Sequence, residues 1–452
     1  MDFQVAKVGF FKEVLALALP VALQGMLYSI LGIVDQLMVG QLGDAAVVAV
    51  SLASRNFGVL NFALMGLTGG LGILAAQFLG NRMPEKIAKI EGMALAVGIL
   101  LALIFMVLSV GFPEWCMRLF TADKAVIGLG VTYHQTFAWS YLPIALIAVY
   151  STVLRNAKRV KLPMYAGFLA VLIDAGLNWI FVFGNLGAPR LGVAGSGLAT
   201  AISCWIELAV LAGFIFGKKL IGSYPLSALT GFLSADDDIK KFWRLTAPLL
   251  IENISFTLMV SVVNAIYGFM GTAETVAVTV MGPVETLLIT FFGGFSTAAS
   301  VLIGHHLGRS ELSEAYGTAR RILWLGFFAS FALSALMIAI SPRYISLYRL
   351  TDFSSALTQA TFVMMAIFIP IKVTNMIVTG GVLAAGGETW FILWQSLISW
   401  ALAVPLGYLT AFVWHWPIYL VFAAISFEEI VRVVWCLAKF RKKTWLNNLV
   451  ET

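Results

Sequence analysis

Long apolar stretches, separated by short segments rich in charge, Gly and Pro, divide the chain into twelve runs. They lie near 12–39, 46–79, 88–112, 125–153, 162–183 and 193–216, then near 242–270, 273–304, 318–341, 355–384, 390–413 and 417–438. Each is about 20 residues or longer, the length an α-helix needs to cross a hydrocarbon core of roughly 30 Å. The alternation of apolar and polar residues expected of a membrane β-barrel is absent. The pattern therefore predicts an all-α integral membrane protein with twelve transmembrane helices, the longer ones tilted or extending past the bilayer.

The pattern also repeats. Residues 20–80 align without a gap with residues 248–308, at a constant offset of 228, with 13 identities in 61 positions. Pro20 falls on Pro248, Gly40 on Gly268, Gly43 on Gly271, Gly66 on Gly294, and Leu79-Gly80 on Leu307-Gly308. These residue types mark turns and breaks of the backbone, so the two halves are expected to bend at equivalent places. Six spans per half is an even number, which starts both halves on the same side and makes them parallel repeats about an axis along the membrane normal. The expected organisation is an N-lobe over 1–216, a cytoplasmic linker over 217–241, a C-lobe over 242–440 and a cytoplasmic tail over 441–452, with a binding site between the lobes.

Composition agrees with this reading. Hydrophobic residues make up 60% of the chain and charged residues 12%, and the mean hydropathy is +0.92. With the N-terminus inside, 22 of the 29 Lys and Arg fall on the inner side, Lys7, Lys12, Arg82, Arg155, Lys218, Arg309 and Arg432 among them. Five fall outside, namely Arg118, Lys124, Arg190, Arg343 and Arg349. That asymmetry predicts cytoplasmic termini and a multi-pass protein of the cell's inner (plasma) membrane. The net charge of +6 then belongs to loops facing lipid headgroups and gives no reason to expect nucleic acid. The apolar run follows the only small-residue cleavage pattern near the N-terminus instead of preceding it, so the first span is expected to be retained. Cys116, Cys204 and Cys436 are too scattered for a disulfide framework or a metal site. His305 and His306 are adjacent and would point apart on a helix, and Asp236-Asp237-Asp238, with Pro225 and Gly231 in the linker before them, read as a helix cap.

Polar residues inside the apolar runs carry the chemistry. Asp35, in GIVDQLMVG, falls where the other repeat has Val263, whereas Gln24 falls on Glu252. A carboxylate facing lipid near mid-bilayer costs roughly 2.5–3.5 kcal/mol, so Asp35 is expected to face a protein cavity, where burial disfavours its charged form. Asp174 and Asn178, in LIDAGLNWIFVFG, are four apart and share one face of the fifth helix, and Thr200 adds a hydroxyl from the sixth. Carboxylate, amide and hydroxyl oxygens form a hard ligand set that suits a proton network or a sodium ion, between which the residues do not choose. Pro20 and Pro248 interrupt the first helix of each half, and a charge change at Asp35 is expected to couple to bending at Pro20. In the second half, Glu252, Lys372 and Asn375 form a polar site, in which Glu252 can act as a second cation site or receive a cationic substrate, or can instead be neutralised in a structural pair with Lys372. Phe57, Phe137, Phe291 and Met259 are among the side chains that can offer aromatic or thioether surface to flat cations.

Taken with their order and spacing, LALPVALQGMLYSILGIVDQLMVGQLG, AAQFLGNR, IDAGLNWIFVFG, GVAGSGLATAIS, APLLIENISF and VLIGHHLGR make the chain resemble the multidrug and toxic compound extrusion transporters over nearly its whole length. The resemblance implies a two-lobed exporter, not an enzyme, that expels amphipathic, often cationic compounds in exchange for inward H+ or Na+, without a cofactor. Asp35 matches the acid of the family's first helix and Glu252 an acid of its seventh. Some members carry the fifth-helix acid where this chain has Asn178, and others carry a tenth-helix acid where this chain reads PIKVTN. That departure favours the N-lobe as the coupling site and protons over sodium. A monomer is expected. The alternatives are a lipid or lipid-linked oligosaccharide flippase, which would place basic residues in its cavity, and an intramembrane transferase, which would need clustered acids for a divalent metal.

Overall fold

The computed structural model describes residues 2–224, 230, 237–348 and 350–451, the side chains of residues 2–8 excepted. Pro225, Gly231, Asp236, Arg349 and the Lys7 side chain lie outside the described residues. Twelve long helices follow one another: α1 (Asp2–Gly40), α2 (Asp44–Gly80), α3 (Pro84–Gly111), α4 (Lys124–Asn156), α5 (Lys161–Phe183) and α6 (Val193–Gly217) in the first half. The second half contributes α7 (Asp237–Met270), α8 (Thr272–Gly308), α9 (Leu312–Ile345), α10 (Asp352–Leu383), α11 (Thr389–Val413) and α12 (Ile418–Lys442). Several start before the apolar runs do, because a polar first turn can continue a helix beyond the hydrocarbon. Asp123 caps α4 by accepting from the amides of Ala125 and Val126 at 2.8 and 3.4 Å, and Gly184 ends α5 in the left-handed region.

Eleven of the helices are long and apolar enough to be recognised as membrane spans by composition. The twelfth, α12, carries Glu428, Glu429 and Arg432 inside its apolar run. Burial of each span follows the duplication. In their most apolar stretches α2, α4, α8 and α10 are 56–61% buried, whereas the other recognised spans are 22–39% buried and expose apolar side chains suited to lipid.

The chain forms two compact units. One contains Met1–Ala22, Ala76–Asn81 and Ile251–Thr452; the other contains Leu23–Ala75 and Arg82–Leu250. Both α1 and α7 change unit two residues after a proline, Pro20 and Pro248 respectively.

Two of the glycine pairs matched by the repeat are points of close backbone approach inside a unit. A Cβ on Gly66 would stand 2.7 Å from the Leu250 Cα, and one on Gly294 would stand 2.9 Å from the Ala22 amide nitrogen. Each pair is the other displaced by 228 residues. In the unit containing 76–81, the same displacement relates the approach of Gly80 to the His305 backbone and that of Gly308 to the Gln77 backbone. Gly308→Ala would push a methyl into the Gln77 carbonyl, which cannot yield as a side chain can. We expect a loss of about 1–3 kcal/mol, read as a lower melting temperature in detergent. Gly317→Ala, a helical position with nothing within 4 Å, should leave the melting temperature unchanged or raise it.

The C-terminal segment is docked, not free. Trp445 is fully buried and donates from Nε1 to the Phe440 carbonyl at 3.1 Å. Gln77 donates to the carbonyls of Ala385 and Asn447 at 2.7 and 3.2 Å and accepts from the Leu449 amide at 2.7 Å.

Candidate functional site

Three of the side chains expected to act together meet in the unit that contains α5 and α6. Asp35 lies five residues before the end of α1, and Asp174 and Asn178 are fully buried on one face of α5. The Asn178 amide spends both hydrogens on carboxylates: Nδ2 donates to Asp35 Oδ1 and to Asp174 Oδ2, each at 3.0 Å. From α6, Ser203 Oγ donates to Asp174 Oδ1 at 3.1 Å, and the Thr200 hydroxyl stands beside Asp174 while donating to the Ser196 carbonyl at 3.2 Å. The buried Asn178 Oδ1 has no hydrogen-bond partner. Among the described residues, neither carboxyl is bonded to a Lys or Arg. Two acids therefore share one neutral amide, and no fixed cation balances them.

Aromatic rings stand near this pair. Tyr133 is within electrostatic reach of Asp35 and Asp174 and stacks on Phe137 with ring centres 5.1 Å apart. Phe57 meets Phe137 edge-on at 5.4 Å and stacks on Tyr141 at 6.2 Å. Tyr133, Phe137 and Tyr141 are buried, so the rings form a packed apolar wall that reaches the acids through Tyr133.

A second polar group in the same unit escaped sequence reasoning. Tyr28 donates its hydroxyl to Glu207 Oε1 at 2.6 Å, Gln24 Nε2 donates to the Pro163 carbonyl at 3.1 Å, and Arg155 Nη2 donates to Gln24 Oε1 at 3.0 Å. Glu207 was legible as an acid in the apolar run ISCWIELAVLAG. Arg155 was assigned to a loop, but it sits at the end of α4 and turns inward to Gln24.

The second half differs from expectation in its partners. Lys372 does not pair with Glu252: its Nζ contacts Glu285 Oε1 at 2.5 Å and lies over the Phe422 ring. Glu252 is instead in the field of Arg432. Arg432 is 8% exposed inside α12, 3.3 Å from Glu428 and 3.7 Å from Glu429, and so is not a loop cation either. Asn375 donates to Glu429 Oε2 at 2.6 Å and Ser399 to Glu428 Oε2 at 2.9 Å. With its amide oxygen turned to the guanidinium, Gln395 accepts from Arg432 Nη2 and Nε at 2.7 and 2.6 Å. Glu285, Glu428, Glu429 and Gln395 were missed; the signal was the Glu-Glu-x-x-Arg spacing, which brings acid and base to one helix face.

His305 and His306 lie in the last turns of α8, where His306 Nδ1 meets Glu311 at 2.7 Å. No group of three or more His, Cys, Asp or Glu suited to a metal ion occurs among the described residues. The three cysteines are free. Asp237 and Asp238 begin α7, with Asp238 3.4 Å from Lys86.

Comparison with known proteins places this geometry. The sequence profile of the family described as MatE matches residues 20–180 and 248–409, the two repeats. The chain is 25% identical over 435 residues to the "Uncharacterized transporter YisQ" of Bacillus subtilis, covering 96% of this chain and 94% of that protein. It is 25% identical over 444 residues to the "Probable multidrug resistance protein NorM" of Neisseria meningitidis serogroup B, covering 95% and 94% respectively. Its fold matches that of a MOP superfamily transporter from Pyrococcus furiosus, with a TM-score of 0.87, 17% identity and 96% of each chain covered.

Proposed function

Because the chain belongs to the MatE family of multidrug and toxic compound extrusion transporters, we propose that it exports amphipathic, often cationic compounds across the inner membrane in exchange for inward protons. It is a multi-pass membrane transporter and not an enzyme. The observation that carries the proton reading is the Asn178 amide bridging Asp35 and Asp174, with neither acid bonded to a Lys or Arg among the described residues. The two carboxyls also stand within hydrogen-bonding reach of each other, so a proton shared between them is the simplest way to relieve two adjacent acids. Asp35, Asp174, Asn178 and Thr200 form the coupling site in this reading, and Glu252, Lys372 and Asn375 belong to a polar site of the C-lobe.

Alternating access then needs the two conformations to bind proton and substrate differently, since a ligand that binds both equally shifts nothing. A proton entering from outside neutralises the pair, the hydrogen bond from Asn178 to Asp35 weakens, and α1 is freed to bend at Pro20. The change of unit two residues beyond Pro20 supports that hinge. The repeats 1–216 and 242–440 are the two lobes, the moving bodies are the two compact units that divide α1 and α7 just past their prolines, both termini face the cytoplasm, and the working unit is a monomer. Two acids without a nearby base in the N-lobe site argue against a flippase for anionic lipid headgroups, which would be repelled there.

The test is ethidium efflux from proteoliposomes under a proton gradient and, separately, a sodium gradient. Efflux driven by protons alone is expected. Efflux driven only by sodium would overturn the proton assignment, and no driven efflux of any cationic dye would overturn the exporter.

A further inference from the structure

Resting on the coupling role of Asp35 and Asp174, we propose that Glu207 is a second proton carrier of the N-terminal half, passing the proton from that pair toward the cytoplasm with Tyr28 as its hydrogen-bond partner. The polar side chains of α1, α4, α5 and α6 are ordered along the membrane normal. With the termini inside, α1 and α5 run outward and α4 and α6 run inward. Asp35 and Asn178 then stand nearest the outside, Asp174 and Ser203 follow, Glu207 and Tyr28 come next, and Gln24 with Arg155 stands nearest the cytoplasm. Eleven residues of helix separate Asp35 from Gln24, a rise of about 16 Å.

Consecutive members touch or share a helix face. Ser203 bonds to Asp174 at 3.1 Å and lies four residues before Glu207, so both project from one side of α6. Cys204 is within electrostatic reach of both Asp174 and Glu207. Glu207 is 3% exposed and accepts from Tyr28 at 2.6 Å. The groups facing it are Tyr28 from α1, Arg155 from α4 and Cys204 on its own helix, while α5 contributes Asp174 through Ser203 and the Pro163 carbonyl through Gln24.

The arrangement has a carrier's chemistry. Arg155 is within the field of Glu207 but makes its hydrogen bond to Gln24, and its buried Nε has no partner. The carboxylate is therefore not locked in a two-point ion pair and can take up a proton without breaking one. In the step, a proton leaves the Asp35–Asp174 pair and adds to Glu207; that pair regains its negative charge and Glu207 becomes neutral. Glu207 then releases the proton to cytoplasmic water, and its anion is again stabilised by Tyr28 and Arg155. Gly167 on α5 keeps the space for this contact, because a Cβ there would stand 2.7 Å from the Tyr28 hydroxyl.

The experiment compares wild type, Glu207→Gln, Glu207→Asp, Tyr28→Phe and Asp35→Asn in proteoliposomes, using ethidium and an internal pH dye. Two rates are read: proton-driven net efflux, and ethidium exchange at equal pH, which needs no net proton movement. Glu207→Gln should lose roughly 100-fold in net efflux and in proton entry while keeping exchange, and Glu207→Asp should recover part of the loss. Tyr28→Phe should shift the pH of half-maximal driven efflux, and this variant decides the matter if Glu207→Gln does not fold. Wild-type driven efflux in Glu207→Gln, equal loss of exchange and net efflux in both Glu207 variants, or an unshifted Tyr28→Phe profile would each overturn the relay. Asp35→Asn separates the two readings: if it still drives efflux, the coupling site itself is misassigned, whereas an inactive Asp35→Asn beside a fully active Glu207→Gln removes the relay alone.

Discussion

Asp35→Asn is expected to reduce proton-driven efflux to that of protein-free vesicles, while the protein still folds and still exchanges substrate. Asparagine keeps the shape of the side chain and can still accept from Asn178 Nδ2, the bond now made at 3.0 Å. What it cannot do is alternate between charged and neutral. With one fixed neutral group at position 35, the pair loses the like-charge repulsion that makes proton uptake change the preferred conformation. A proton binding both states equally does no work on their equilibrium. Asp174→Asn should be as severe and also less stable, since the fully buried Asp174 organises Asn178 and Ser203. The measurement is the rate of dye efflux against the size of the imposed pH step. An Asp35→Asn protein whose rate still rises with that step would place coupling elsewhere, and the Glu285, Glu428 and Glu429 group of the second half would be the next place to look.

Arg432→Met is expected to be the most destabilising single change in the second half, costing about 3–5 kcal/mol. The guanidinium sits between Glu428 and Glu429 and also donates to Gln395 through two nitrogens. Removing it leaves the buried Glu428 beside the partly buried Glu429 without their shared cation, with Glu252 adding its own field. Methionine fills much of the volume, so the cost measures lost charge compensation and not a cavity. Arg432→Lys should fall between the two, because an ammonium keeps the charge but cannot offer the planar fork that Gln395 receives. The readout is the detergent melting temperature of the three proteins. Equal melting of Arg432→Met and wild type would show that the acids are held protonated or wetted instead of being held by the arginine.

Part of the candidate site could be read from the sequence. The four-residue spacing of Asp174 and Asn178 is local, and 3.6 residues per turn puts both on one face whatever the rest of the chain does. The burial cost of Asp35 in an apolar run required a protein-facing partner, and those two residues supplied it. The partner of Lys372 was not legible in the same way. Glu252 was the acid suggested by the repeat, yet Glu285 on α8 is the one brought to 2.5 Å. The rotation of α8 and α10 about their own axes, set by close approaches such as that at Gly381, where an added Cβ would stand 2.8 Å from the Ala299 Cβ, decides which of several acids faces the lysine. Arg155 and Arg432 were misread for a related reason. A basic residue near a span's end fits a loop equally well until a buried acceptor is placed opposite it.

The order of apolar runs and the 228-residue repeat determined the membrane class, the twelve helices and the duplication, because these follow from transfer free energy and from the backbone limits of Gly and Pro. Tertiary structure alone decided which helices are buried, where α1 and α7 pass from one unit to the other, and which charges meet, including the link of Glu207 to Tyr28. Those outcomes depend on helix rotation and crossing, where shifts of an ångström exchange one hydrogen-bond partner for another and leave the hydropathy pattern unchanged.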